Sequence, residues 1–114
     1  MSHKALILVT PSPPTIATEN GQRRVITWMQ TKKIRYQEVD AIDEKDVRKE
    51  LTAISGVTGN YPQVFITDGE ETTYVGDYEK IESLVELDDV DEEILAKNPD
   101  LKTFKMVFAD CKEE

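Results

Sequence analysis

Tyr61-Pro62-Gln63-Val64-Phe65-Ile66 is a proline opening a short apolar run, with strand and helix signals alternating on either side of it. Proline has no N–H for a ladder, so it suits the start of a strand rather than its middle. The run predicts a strand over Gln63 to Thr67. Downstream, Asp68-Gly69 is a hairpin signal, with Glu70 and Glu71 lengthening the loop, and Thr72 to Val75 predicts the return strand. Asp77 then starts a helix carrying Ile81, Leu84 and Val85 at helical spacing. Upstream, Val47, Leu51 and Ile54 recur at that spacing between a capping Asp43 and the terminators Gly56 and Gly59. Ile34 to Val39 predicts the strand before that. A longer helix, capped by Thr15 and running to about Thr31, presents Val25, Trp28 and Met29 on one face. Its Asn20-Gly21 step weakens it by ~1 kcal/mol relative to alanine. Lys4 to Val9, continuous and apolar, predicts a first strand covered on both faces.

The order is β-α-β-α-β-β-α, an α/β unit over residues 1–87. Its first two strands, joined through a helix, must be parallel with a right-handed crossover, and its last two form an antiparallel hairpin. Residues 88–114 form an acidic helical C-terminal extension of the same domain. Asp88 to Glu93 leads into a short helix ending near Lys97. Asn98-Pro99-Asp100 reads as another helix start, with an Asn cap, a first-position proline and a first-turn acid. Leu101, Phe104 and Phe108 then form one apolar stripe, leaving Lys102, Lys105, Asp110 and Lys112 on other faces. A helix of about a dozen residues is marginal alone, so the stripe must be buried on its own domain or against a partner.

The chain has 114 residues, 39% hydrophobic and 32% charged, which suits one soluble domain with a real core. Its net charge of −9 is unevenly spread. Residues 1–80 hold ten Lys and Arg against twelve Asp and Glu, and residues 81–114 hold four against eleven. An acidic tail repels phosphate backbones, which argues against nucleic acid. No apolar run is long enough to cross a membrane, and the N-terminus lacks a signal peptide's pattern. Cys111 is the sole cysteine and has no internal partner, as expected in a reducing compartment. The expected protein is cytoplasmic and monomeric, with no membrane insertion.

The loop after the first strand, Thr10-Pro11-Ser12-Pro13-Pro14-Thr15, offers hydroxyls and prolines. Pro11 to Pro14 satisfies PxxP, a pattern that docks in aromatic grooves as polyproline II, but no arginine flanks it to set orientation. A turn is the better reading. A hydroxyl without a positioned base is a poor nucleophile, and His3, near the terminus, is the only histidine. One His and one distant Cys give no metal cluster, and Asp88 to Glu93 lacks the spacing of a calcium loop. The acids beside Cys111 raise its thiol pKa and blunt it.

Tyr61 to Ile66 resembles the Val-Pro-Gln-Val-Phe-Ile segment of glutaredoxins, and the element order resembles the thioredoxin layout. Val75-Gly76-Asp77-Tyr78 stands where glutaredoxins carry Gly-Gly-x-Asp-Asp. The Gly-Asp-Tyr step, the Lys32-Lys33-Ile34 step and the cysteine-free loop are closer to the SH3-domain-binding glutamic-acid-rich protein family, over roughly residues 4–86. That resemblance implies a thioredoxin-like fold, a cis Tyr61–Pro62 bond, no cofactor and no thiol catalysis, since glutaredoxin chemistry needs a low-pKa thiolate. Animal members carry extra prolines around this position. Asn60-Tyr61-Pro62-Gln63 does not, so SH3 binding there is not carried over.

Two functions compete. The first is a non-catalytic protein-interaction adaptor or modulator, with Pro11, Pro14, Leu101, Phe104 and Phe108 as partner-binding candidates and the partner unidentified. The alternative is a glutathione-binding, redox-related protein. Thr10, Ser12, Tyr61, Pro62, Gln63, Gly76 and Asp77 are its candidate groove, with Arg23 or Arg24 needed for the ligand's carboxylate. Asp77 as a helix cap competes with that ligand, so weak or no glutathione binding is expected.

Overall fold

The computed structural model describes residues 3–113. Four strands form one mixed sheet in the order β2-β1-β3-β4: β1 Lys4–Val9, β2 Tyr36–Asp40, β3 Gln63–Thr67 and β4 Thr72–Asp77. β1 and β2 are parallel, whereas β3 runs antiparallel to both β1 and β4. The helices are α1 Ile16–Thr31, α2 Lys45–Ser55, α3 Tyr78–Leu87, α4 Glu92–Lys97 and α5 Phe104–Val107, followed by a 3-10 turn over Ala109–Cys111. This is the thioredoxin-like arrangement.

The apolar run of β1 divides by strand alternation between two core layers. Ala5 and Ile7 face α1 and α3, packing with Val25, Met29, Ile81 and Leu84. Leu8 joins Phe65, Val39, Ala41 and Leu51 on the α2 side. Fully burying each Val, Leu, Ile, Met or Phe among these contributes roughly 1.5–3 kcal/mol. A continuous apolar run in β1 is thus what a strand covered on both faces requires.

Capping follows local chemistry. Thr15 opens α1, its hydroxyl accepting from Thr18 N–H at 3.0 Å. Gly56 ends α2 at φ +73°, a left-handed position that costs glycine little. Asp43 does not cap α2. Glu44 holds the cap position without a side-chain bond, and Asp40 takes the Ile42 and Asp43 N–H groups at 2.8 and 3.0 Å in a competing turn. β2 begins at Tyr36 rather than Ile34, because Lys33 adopts φ +57° and turns the chain. Ile34 pairs instead with Lys112.

The largest correction concerns Asn98-Pro99-Asp100. Asn98 closes α4, its side chain donating to the Ile94 carbonyl at 2.8 Å, and opens no helix. The next helix starts at Thr103, whose hydroxyl accepts from Met106 N–H, and α5 has four residues rather than about a dozen. Phe104 and Phe108 are fully buried, their rings tilted at 33° with centroids 4.5 Å apart in the α1–α3 core layer. Burial there, not helix propensity, orders this segment.

Candidate functional site

At the C-terminal end of β1, Thr10 to Thr15 makes a bent loop with Pro11, Ser12 and Pro14 exposed. The loop is held by a reciprocal bond. Thr10 N–H donates to Gln22 Oε1 at 2.8 Å, and Gln22 Nε2 returns a bond to the Thr10 carbonyl at 3.1 Å. Ser12 N–H donates to Thr10 Oγ1 at 3.3 Å, closing a small turn. The two hydroxyls are therefore engaged in the turn or turned to solvent. His3 precedes β1 at its opposite end, about 20 Å away at ~3.3 Å per strand residue.

Beside this loop lies a shallow cleft of about 170 Å³ between α1, the Asn60–Pro62 segment and the start of α3. Tyr61, Pro62 and Asp77 line it, and the Tyr61–Pro62 peptide is cis. Thr10, Ser12, Gln63 and Gly76 do not line it. Gln63 is fully buried, and its Nε2 donates to the Val57 and Asn60 carbonyls at 3.1 and 2.8 Å. It braces the loop entering β3. Its Oε1 has no partner among the described residues. Gly76 is buried where a Cβ would run into the Lys80 side chain. It lets β4 pass directly into α3, after a bulge between Val64 and Phe65 in the β3–β4 register. Asp77 caps α3, its Oδ1 accepting from Lys80 N–H at 3.2 Å and its Oδ2 3.5 Å from Asn60 Nδ2.

Tyr78, read in the sequence only as part of the Gly-Asp-Tyr step and not as a site residue, forms one wall of this cleft. Its ring packs on Gly21, where a Cβ would sit 3.3 Å away, so the glycine in α1 trades helix propensity for close helix–helix approach. Trp28 stacks on Tyr78 at 5.9 Å and 17°, and the Arg24 guanidinium lies 5.0 Å from the Trp28 centroid and 5.5 Å from that of Tyr78. Arg24 also contacts the Tyr78 hydroxyl and pairs with Glu82. Burial and the Glu82 carboxylate hold the Tyr78 phenol above its ordinary pKa. Arg23 pairs along the helix with Glu19 and is exposed. Both arginines proposed for a ligand carboxylate thus already have acidic partners. The signal that could have revealed the cluster was Arg24 four residues before Trp28, on one helix face.

Cys111 lies far from the loop, completely buried beside Arg35. Burial raises its thiol pKa, with Asp110 adding to the shift and Arg35 opposing it. Desolvation is thus the leading cause, ahead of the neighbouring acids. Among the described residues no three His, Cys, Asp or Glu side chains converge on a metal position.

The C-terminal segment closes the N-terminal end of β1 through Arg35. Its guanidinium donates to the carbonyls of His3, Asp110 and Lys112 at 3.1, 2.8 and 2.8 Å. Backbone bonds from Arg35 N–H to Cys111 and from Glu113 N–H to Lys33, both 2.7 Å, complete the tie.

Comparison with known families supplies the relation. The family described as SH3-binding, glutamic acid-rich protein matches residues 5–96. The chain belongs to this family. Comparison with curated proteins gives no significant match. The SH3-binding, glutamic acid-rich match takes in the Thr10–Thr15 loop, the Tyr61–Pro62 cleft and Arg35. It stops within α4, before Phe104, Phe108 and Cys111. No helix among the described residues is long and apolar enough to cross a membrane.

Proposed function

We propose that this protein is a non-catalytic, protein-binding adaptor or modulator of the cytoplasm, working as a monomer. One observation carries the reading. The β1–α1 loop, where a thioredoxin-like enzyme presents its thiolate, is a proline turn tied to Gln22, with no thiol in the loop and no base bonded to its hydroxyls among the described residues. The partner surface is the exposed part of that loop, Pro11 and Pro14, together with Ile16, which is 75% exposed. The family's name speaks of SH3 binding. In this chain the PxxP segment bends instead of extending, so recognition through a polyproline II groove is not the expected mode. Phe104 and Phe108 are set aside as partner contacts, because both are fully buried core residues, whereas the half-buried Leu101 stays a partner-binding candidate.

The alternative, glutathione binding, is favoured by Tyr61, Pro62 and Asp77 sharing one cleft. That cleft falls below the ~300–1,000 Å³ usual for ligand sites, and the Asp77 carboxylate is committed to its helix cap.

A glutathione-dependent disulfide reductase assay is expected to show background rates. Turnover surviving Cys111→Ser refutes the non-catalytic reading. Affinity capture with the full chain, compared with Pro11→Ala/Pro14→Ala/Ile16→Ser, tests the surface: a partner retained equally by both removes the loop from the proposal. NMR titration decides the alternative, with saturable shifts at Tyr61 and Asp77 at micromolar glutathione establishing it.

A further inference from the structure

A mainly apolar cavity lies at the other end of the molecule, between the end of α1 and the α5–3-10 segment, and has a volume of about 440 Å³. That falls within the ~300–1,000 Å³ of small-molecule sites. Ile34, Phe104 and Phe108 lie beneath it, closed to solvent, so its accessible lining is Thr31, Ala109 and the stems of Lys32, Lys33, Lys105 and Lys112. Four of the chain's fourteen basic residues therefore meet at one cavity in a protein of net charge −9.

The four lysines are not equivalent. Lys32 Nζ is 3.0 Å from Asp88 Oδ2 and 5.4 Å from the Phe104 ring. Asp88 also accepts from the Lys105 backbone N–H at 3.0 Å. That ion pair is structural and holds α5 against α1 and α3. Lys33, Lys105 and Lys112 are exposed and have no acidic partner among the described residues. Asp110 and Glu113 are neighbours in sequence, but neither lines the cavity. Lysine stems offer apolar surface while their ammonium groups stay at the rim. An apolar trough edged by three lysines with no acidic partner among the described residues is complementary to a molecule with an apolar body and one anionic end.

We propose that this cavity binds a small carboxylate amphiphile, its acyl body along the lysine stems and Ala109 and its carboxylate held by Lys33, Lys105 and Lys112. The site is independent of the β1–α1 loop.

Decanoate, below its micelle concentration, is the probe, titrated into the full chain and followed by amide NMR. Saturable shifts confined to residues 31–34 and 104–112 are expected. Decanol and decyltrimethylammonium, with the same chain but no negative charge, are expected to leave these amides unmoved, and acetate to bind far more weakly than decanoate. Lys33→Gln/Lys105→Gln/Lys112→Gln keeps much of each stem and should weaken decanoate by about tenfold. Lys105→Gln alone, on the exposed face of α5, gives a smaller loss if the triple variant does not fold. Lys45→Gln/Lys49→Gln on α2 should bind as wild type. Equal binding of decanol, equal binding of acetate, absence of saturable shifts, or an equal loss in the α2 variant each overturns the proposal.

Discussion

At the C-terminal end of β1 the chain turns through exposed prolines, held to α1 chiefly by the Gln22–Thr10 pair of bonds. At the N-terminal end it meets residues 104–113, which insert Phe104, Phe108 and Cys111 into the core and surrender two carbonyls to the Arg35 guanidinium and a third to its backbone N–H. By sequence the loop belongs to the fold and the C-terminal segment is an addition. Energetically the order is reversed. The loop buries little, whereas the segment outside the family match completes a core layer. Changes in the loop are therefore expected to cost little stability, and trimming the C-terminal segment to cost much.

Deleting residues 104–114 is the strongest test of that contrast. Removing one buried phenylalanine side chain costs about 3–5 kcal/mol, and two such losses approach the ~5–15 kcal/mol of a whole domain. The truncated chain is expected to lack a cooperative thermal transition, and Phe108→Ala alone to lower stability by about 3–5 kcal/mol in urea. A truncated chain that melts like the full one breaks the comparison.

Arg35→Ala comes next. It leaves three carbonyls without their charged donor and should cost about 1–2 kcal/mol, discounted for partial exposure. Arg35→Lys should not rescue it, because one ammonium cannot reproduce the planar fork. Hydrogen exchange should speed at residues 108–112 and stay unchanged at the β1–α1 loop. Exchange rising equally at both ends would remove Arg35 as a local clamp.

Cys111 sharpens the same point through pH. Burial raises the folded-state thiol pKa, so the neutral thiol is the folded form. The contribution is fully present below the unfolded-state value of about 8.5 and is lost as pH rises through the folded-state value. The urea midpoint should therefore fall more steeply above about pH 9 in the wild type than in Cys111→Ala. Parallel curves would mean that the thiol is open to solvent in the folded protein.

The smallest effect is expected in the loop. Pro11→Ala/Pro14→Ala should change stability by no more than about 1 kcal/mol, mostly through the unfolded chain. A loss comparable to that of Phe108→Ala would show the loop to be a structural element rather than a free surface.

Local chemistry settled much of this molecule in advance. The ends of β1 and β3, the Thr15 and Asp77 caps and the Gly56 terminator follow from neighbouring residues, because strand alternation, capping and left-handed glycine act within a few positions. The absence of a thiol from the β1–α1 loop is likewise written in Thr10 to Thr15. What the sequence alone did not disclose depends on residues far apart along the chain. Asn98-Pro99-Asp100 carries a complete helix-start signal, yet burial of Phe104 against α1 and α3 moves the start to Thr103. Gln22 meets Thr10, Tyr78 fills the space left by Gly21, and Arg35 finds carbonyls more than seventy residues away. Only three-dimensional packing brings such groups together, since hydrogen bonding and burial depend on distance in space, which chain spacing does not reveal.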